Sequence, residues 1–233
     1  MQYSWGYGSR MNPLLPRRFF SRVQWLVALL VLPSVLGAAE IWRLDNVDKI
    51  GGHPVVVLGA PTVKEENGVK ALVFDGAKDG IFIPSIPIAG AKQFTIEVLF
   101  YPAEGGLAQQ RFFHLADRTQ ARAMFETRLD GKGQWWLDHF LFSRSTKSII
   151  AIDPKLVHPT NQWYWVAMRW DGKTMTSFIN GQKEMERAGA FGSFGEGQVS
   201  LGVRQTIEYW FKGGFREVRF HREALAPEKL QRL

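Results

Sequence analysis

"NQWYWVAMRWDGKTMTSFINGQ", residues Asn161 to Gln182, carries two strand-length runs joined by two turn signals. Successive side chains of a strand point to opposite faces. Tyr164, Val166, Met168 and Trp170 therefore share one side, and Trp163, Trp165, Ala167 and Arg169 share the other. Both sides are largely apolar, so one meets an opposing sheet while the other is covered by something or binds something. Asp171-Gly172 and Asn180-Gly181 accept positive φ in tight turns, which sets the register of consecutive hairpins.

The same grammar extends outward from this stretch. From Glu40 onward, short runs of β-branched and aromatic residues alternate with Gly, Asn, Asp and Pro. Examples are "VKALVFDG", "DGIFIPS", "QFTIEVLFYP", "RFFHLAD", "ARAMFETRLDG", "QWWLDHFLF", "KSIIAID", "QVSLGV" and "FKGGFREVRFH". In "QFTIEVLFY", Phe94, Ile96, Val98 and Phe100 form a core face, and Thr95, Glu97, Leu99 and Tyr101 lie opposite. Many short strands at regular spacing predict an all-β, antiparallel jelly-roll sandwich. Only "EALAPEKLQRL" at the C-terminus reads as a helix, and a short one. Neighbouring aromatics in "WW" and "WYW" point to opposite faces and cannot all be buried by one opposing sheet, so a second cover or a ligand is expected on the outer face.

The 233 residues, 45% hydrophobic and 13% aromatic, support one well-buried domain. Lys and Arg number 29 against 22 Asp and Glu, a net charge of +7. Four of the cations, Arg10, Arg17, Arg18 and Arg22, fall in the first 39 positions, which hold no acid, leaving 25 against 22 in the rest. Such a mild, scattered excess does not point to nucleic acid. The chain has no cysteine, which removes disulfides, thiolate metal sites and a cysteine nucleophile.

The basic "PRRFFSR" followed by apolar "VQWLVALLVLPSVLGAA" has the order of an export signal, with Gly37-Ala38-Ala39 suited to cleavage. Residues 1–39 are therefore expected to be a signal peptide and residues 40–233 the exported domain, secreted or periplasmic. Retained, the apolar run would anchor the chain in a membrane.

Three stretches in order resemble the laminin G-like domains of the concanavalin A-like lectin/glucanase superfamily. They are "ALVFDGAKDGIFIPSIPIAGAKQFTIEVLFYP", "NQWYWVAMRWDGKTMTSFINGQ" and "VSLGVRQTIEYWFKGGFREVRFHREALAPEKL". The resemblance implies a jelly-roll sandwich and a role in binding carbohydrate or an extracellular partner. Two departures stand out. Where the family often carries an acidic residue before E-V-R, this chain has Arg216, and Tyr164 and Trp165 replace a pair of histidines. Some relatives hold calcium on acidic loops, which makes calcium a candidate cofactor. Asp75, Asp79, Asp117, Asp130, Asp138 and Glu208 are the oxygens on offer, without a D-x-D cluster or EF-hand loop.

Catalysis has little support. Retaining glycoside hydrolysis needs two carboxylates about 5 to 5.5 Å apart, and no strand carries E-x-D-x-E. The five histidines are dispersed, without H-E-x-x-H. "YWFKGGF" resembles the tyrosine and lysine strand of some polysaccharide lyases, but their companion motifs are missing. A non-catalytic carbohydrate-binding platform is the expected function, because aromatic rings stack on sugar faces while charged groups hydrogen-bond hydroxyls. Its candidate residues are Trp135, Trp163, Trp165, Arg169, Arg128, Glu126 and Glu97. The alternatives are a protein-binding adhesion surface and a relative of glycoside hydrolases or lyases.

Overall fold

The computed structural model describes residues 38–233; the expected export signal, apart from its last two positions, lies outside the described residues. The alternating runs form β1 (Glu40–Arg43), β2 (Lys49–Ile50), β3 (His53–Pro54), β4 (Val56–Leu58), β5 (Thr62–Glu66), β6 (Val69–Asp75), β7 (Gly80–Ile83), β8 (Phe94–Pro102) and β9 (Gln109–Asp117). They continue as β10 (Arg122–Leu129), β11 (Gln134–Phe142), β12 (Ile149–Ile152), β13 (His158–Pro159), β14 (Tyr164–Trp170), β15 (Thr174–Ile179), β16 (Gln182–Ala188), β17 (Gly197–Leu201) and β18 (Lys212–His221).

Two antiparallel sheets stack as an all-β sandwich. The first runs β16-β15-β14-β8-β18-β6-β5, with β1 pairing further along β18. The second runs β12-β11-β10-β9-β17-β7-β4, with β13 pairing β11. Strands remote in sequence are neighbours at the centre of each sheet, as in β8-β18 and β9-β17. The opening stretch behaves as its alternation predicts. Val166, Met168 and Trp170 are fully buried between the sheets and Tyr164 nearly so, while Trp163, Trp165, Ala167 and Arg169 face outward. Asn180 and Gly181 at φ 48 and 73 close the β15-β16 hairpin, a geometry that residues with a larger side chain resist.

The core is an aromatic stack. Phe100 lies flat on Phe112 at 4.3 Å, and Trp135 meets Phe100 edge-on at 5.2 Å. His139 crosses the sandwich, its Nδ1 2.8 Å from the Ser177 hydroxyl on the facing sheet. Phe112 and Phe113 are both fully buried although adjacent in sequence. A bulge explains this: Phe113 pairs with Phe125 and Arg111 with Glu126, so Phe112 is the extra residue.

The C-terminal helix reduces to a single 3-10 turn at Pro227–Lys229. Ala226 before Pro227 is extended, at φ −65 and ψ 142. Lys229 and Leu230 donate within the turn, to the Ala226 and Pro227 carbonyls, while the flanking N–H groups reach the sheet: Leu225 donates to the Thr95 hydroxyl and Gln231 to the Glu97 carboxylate.

Candidate functional site

The tail divides the outer face of the first sheet. One half is closed, because Leu225 and Leu230 pack on Ala167 and Phe178. Beneath the tail, Glu97 is 1% exposed. One of its oxygens accepts the Gln231 N–H at 2.7 Å, and the other lies 2.9 Å from His221 Nε2. Trp165 is buried at the tail's edge with the Arg219 guanidinium 5.3 Å from its ring centre. The cover expected over this strand is thus the chain's own C-terminus.

The other half is open. A groove of about 380 Å³ crosses β5, β6, β18 and β8 and is walled by Trp163, Tyr101, Val69, Val73, Lys64 and Arg216. Trp163 leans on Tyr101 at 5.4 Å, and the Arg216 guanidinium lies 4.1 Å above the indole. A bulge aims that arginine. β18 pairs with β8 in register up to Phe215↔Phe100 and resumes at Glu217↔Leu99, leaving Arg216 as the extra residue. On the other side of β18, β6 pairing ends at Phe215 and β1 pairing begins at Glu217. Arg216 therefore projects from the gap between two strand ends, where a bulge redirects a side chain at little cost to the sheet.

The groove is positive. Lys64, Lys212 and Arg216 line it against the single acid Glu66. Among the described residues none of these three cations joins an ion pair. The Arg216 Nε is buried without a hydrogen-bond partner in the protein. Gly214 floors the groove; a Cβ there would sit 3.5 Å from the Trp163 ring. A volume of this size lies at the lower end of the range of small-molecule pockets.

The outer face of the second sheet carries a different arrangement. Glu126 and Asp138 are cross-strand neighbours on β10 and β11. Arg128 Nη2 bridges them at 3.1 and 2.5 Å, and Arg111 reaches Glu126 at 3.0 Å. Burial first, and then the neighbouring Asp138 carboxylate, push Glu126 up to about 7, although the two guanidiniums pull the other way. Both carboxyl side chains are nearly sealed, 3% and 6% exposed. Trp136, Phe140 and Phe142 stand half-buried along β11 on this face, with Arg122 stacked over both phenyl rings at 5.1 and 4.5 Å.

The seven residues expected to form one platform are split by the fold. Trp163, Trp165, Arg169 and Glu97 face outward on the first sheet, and Arg128 and Glu126 face outward on the second. Trp135 is fully buried between the sheets, packed on Phe100, Tyr164 and His158, because the inward position of "WW" falls on the first indole. Of the set, only Trp163 reaches the groove; Arg169 pairs instead with Asp171 at 3.3 Å. Glu97 and Glu126, both buried, sit on opposite sheets and so do not form a carboxylate pair on one face.

The acids considered for calcium have other partners. Asp75 accepts from the N–H groups of Ala77, Lys78 and Asp79, and Asp79 from those of Ala60 and Asp75. Asp117 takes Thr119, Ala121 and Gly195, Asp130 takes Lys132 and Gln134, and Glu208 pairs with Arg204. Among the described residues no group of three or more His, Asp or Glu side chains converges in the manner of a metal site. Likewise, no helix among them is long and apolar enough to cross a membrane.

Tyr101 was visible on the same strand face as Glu97. The departure at Arg216 was the other available signal, since a cation replacing a family acid beside a strand end is a groove residue here. Lys64, Lys212 and Arg111 gave none, because their approach depends on strand pairing across the sheet.

Two antiparallel sheets packed face to face define a β-sandwich of the jelly-roll class. The sequence profile of the concanavalin A-like lectin/glucanases superfamily, of laminin G type, matches residues 75–231, and the chain belongs to this family. Comparison with curated protein sequences found no match. Among solved structures, the chain is similar to domain 4 of AbnA, a GH43 extracellular arabinanase from Geobacillus stearothermophilus, in complex with arabinotriose. Identity is 20% and the TM-score 0.63, over 82% of this chain and 94% of that one. It is also similar to the binding domain of botulinum neurotoxin serotype D, at 11% identity and a TM-score of 0.60, over 82% of this chain and 50% of that one. The binding domain of botulinum neurotoxin DC in complex with SialylT matches at 9% identity and 0.58, over 84% and 50%. The chain thus spans about half the length of these toxin domains. At such identities the likeness speaks to the fold alone.

Proposed function

We propose that this chain is an exported, non-catalytic module that binds saccharides in the groove beside Trp163. The observation that carries the reading is the bulged Arg216, laid over Trp163 and joined to no carboxylate among the described residues. A pyranose or furanose ring stacks its C–H face against Trp163 and Tyr101, and Arg216, Lys64 and Lys212 donate to its oxygens. The arabinotriose complex of the AbnA domain and the SialylT complex of the toxin domain support a saccharide ligand on this type of sandwich. Glu126 and Asp138 are read as structural, since Arg111 and Arg128 hold their oxygens.

A glycan array, run with and without calcium, followed by titration of the best hit, tests the reading. Trp163→Ala and Arg216→Met each abolish binding while the melting temperature stays close to wild type. Binding that survives both variants sinks the groove as the site. An adhesion role has one observation in its favour: Val56, Val57, Val63 and Val69 are exposed along the edge strands β4 and β5 and the adjoining end of β6. Glycan silence across the array, with self-association lost on Val63→Lys, selects that reading.

A further inference from the structure

The outer face of the second sheet contains a group of buried donors that the groove does not use. His114 is 4% exposed, and its Nδ1 accepts the Gln205 N–H at 3.0 Å. The ring is neutral, because burial first, and then the charges of Arg204, Arg122 and Arg111, hold it down at about 3. With Nδ1 an acceptor, the proton sits on Nε2. That Nε2–H is buried and meets no protein acceptor, and the same holds for the Nε–H groups of Arg122, Arg204 and Arg111.

The charges nearby do not close. Arg111 and Arg128 share Glu126 and Asp138, and Arg204 takes Glu208 at 3.4 Å. Arg122 has no carboxylate among the described residues; it lies over Phe140 and Phe142 and donates to the Gln120 carbonyl at 3.3 Å. Four guanidiniums thus face three carboxylates, one of them held near neutrality.

The loop that delivers Arg204 is under backbone strain. Ile207 and Tyr209 are both left-handed, at φ 61 and 59, and a β-branched residue rarely adopts that region. What holds the loop there is its attachment to β9: Gln205 bonds His114 twice, and Arg111 stacks on Tyr209 at 3.7 Å. A cleft of about 350 Å³ adjoins the cluster, lined by Ala116, Asp117, Arg118, Gln120, Gln198 and Gln205, the Asp117 carboxylate accepting from the Thr119, Ala121 and Gly195 N–H groups. Ala116 is the cross-strand partner of Arg122, and Gln205 is the partner of His114.

We propose that Arg122, Arg204 and His114 form a second ligand site, entered from this cleft, that takes an oxyanion: a carboxylate or sulfate, free or carried on an acidic sugar. A buried donor left unmet is costly, and a group with only acceptors satisfies several at once. A neutral hydroxyl brings a donor of its own and suits a donors-only cluster poorly. The site is independent of the Trp163 groove, which lies on the opposite sheet.

The test is NMR of the His114 Nε2–H signal in the full chain. Inorganic sulfate, glucuronate and glucose are titrated at constant ionic strength in chloride. Saturable movement with sulfate and glucuronate, but not glucose, is expected. A glucuronate affinity above that of sulfate assigns the ligand to a sugar-borne acid, and equal affinities assign it to the free ion. Arg122→Met and Arg204→Met each weaken binding about tenfold or more, the loss expected for a charge-assisted hydrogen bond. Arg204 lies in the loop before β18 and outside the strands, so its variant reports even if Arg122→Met, within β10, misfolds. Arg216→Met, on the other sheet, leaves the titration unchanged. Absence of saturation with both anions, or full retention in folded Arg204→Met, overturns the site.

Discussion

Replacing Glu126 by glutamine isolates one buried charge and makes a signed prediction. In the folded chain Glu126 is raised from 4.5 to about 7. Between those values the native state holds a proton that the unfolded state has released. Stability therefore falls as pH rises through this window, since the slope follows the difference in bound protons. At about 1.4 kcal/mol per pH unit, the displacement corresponds to roughly 3 kcal/mol. Glutamine cannot titrate, so Glu126→Gln lacks this slope. Lost contacts to Arg111 and Arg128 shift its absolute stability by an amount that does not depend on pH. The assay is urea unfolding of both proteins from pH 4 to pH 8, read as wild type minus variant. The difference is expected to decline by up to about 3 kcal/mol across the window and to level off outside it. Histidine contributions are common to both proteins and cancel. A flat difference, or one that climbs with pH, refutes the burial argument and returns Glu126 to an ordinary salt-bridged carboxylate.

The two indoles of "WYW" part company on mutation: Trp163→Ala leaves stability within about 1 kcal/mol, whereas Trp165→Ala, at a buried position, lowers it by about 3 kcal/mol in the same denaturant assay. Trp135→Ala opens the aromatic core and costs on the order of 3–5 kcal/mol, visible as a large drop in melting temperature. His139 is buried and held down at about 3; it contributes stability that is complete above about pH 6.5 and is lost as pH falls toward 3. His139→Phe removes that part of the acid sensitivity, and an unchanged acid slope counts against it. Deleting residues 225–233 uncovers Glu97, Ala167 and Phe178 and lowers stability by roughly 3–5 kcal/mol, with His221 becoming reactive to modification; a melting temperature equal to wild type contradicts the role given to the tail.

Much of the architecture was legible because its signals are local. Two-residue alternation assigned Phe94, Ile96, Val98 and Phe100 inward and grouped Trp163, Trp165 and Arg169 on the face opposite Val166 and Met168, since a strand's pleat is set by its own backbone. Asn-Gly and Asp-Gly marked the hairpins for the same reason. The helix expected at the end shrank to a single turn because Pro227 holds Ala226 extended and two sheet side chains take the N–H groups of Leu225 and Gln231. The platform failed as a unit because its residues were chosen by face, and alternation assigns a face without saying on which sheet.

What the amino-acid order determined by itself was the layered, two-faced character of the chain, the turn positions and the absence of cysteine chemistry. Which outer faces stay open, and which side chains meet there, was decided only in three dimensions. A bulge at Arg216 exists because β18 exchanges one neighbour for another at that point, and Glu97 is closed off because residues more than a hundred positions later cross over it. Both effects arise from pairing between segments distant in sequence, whose entropic cost and contact gain are settled together when the sheets assemble.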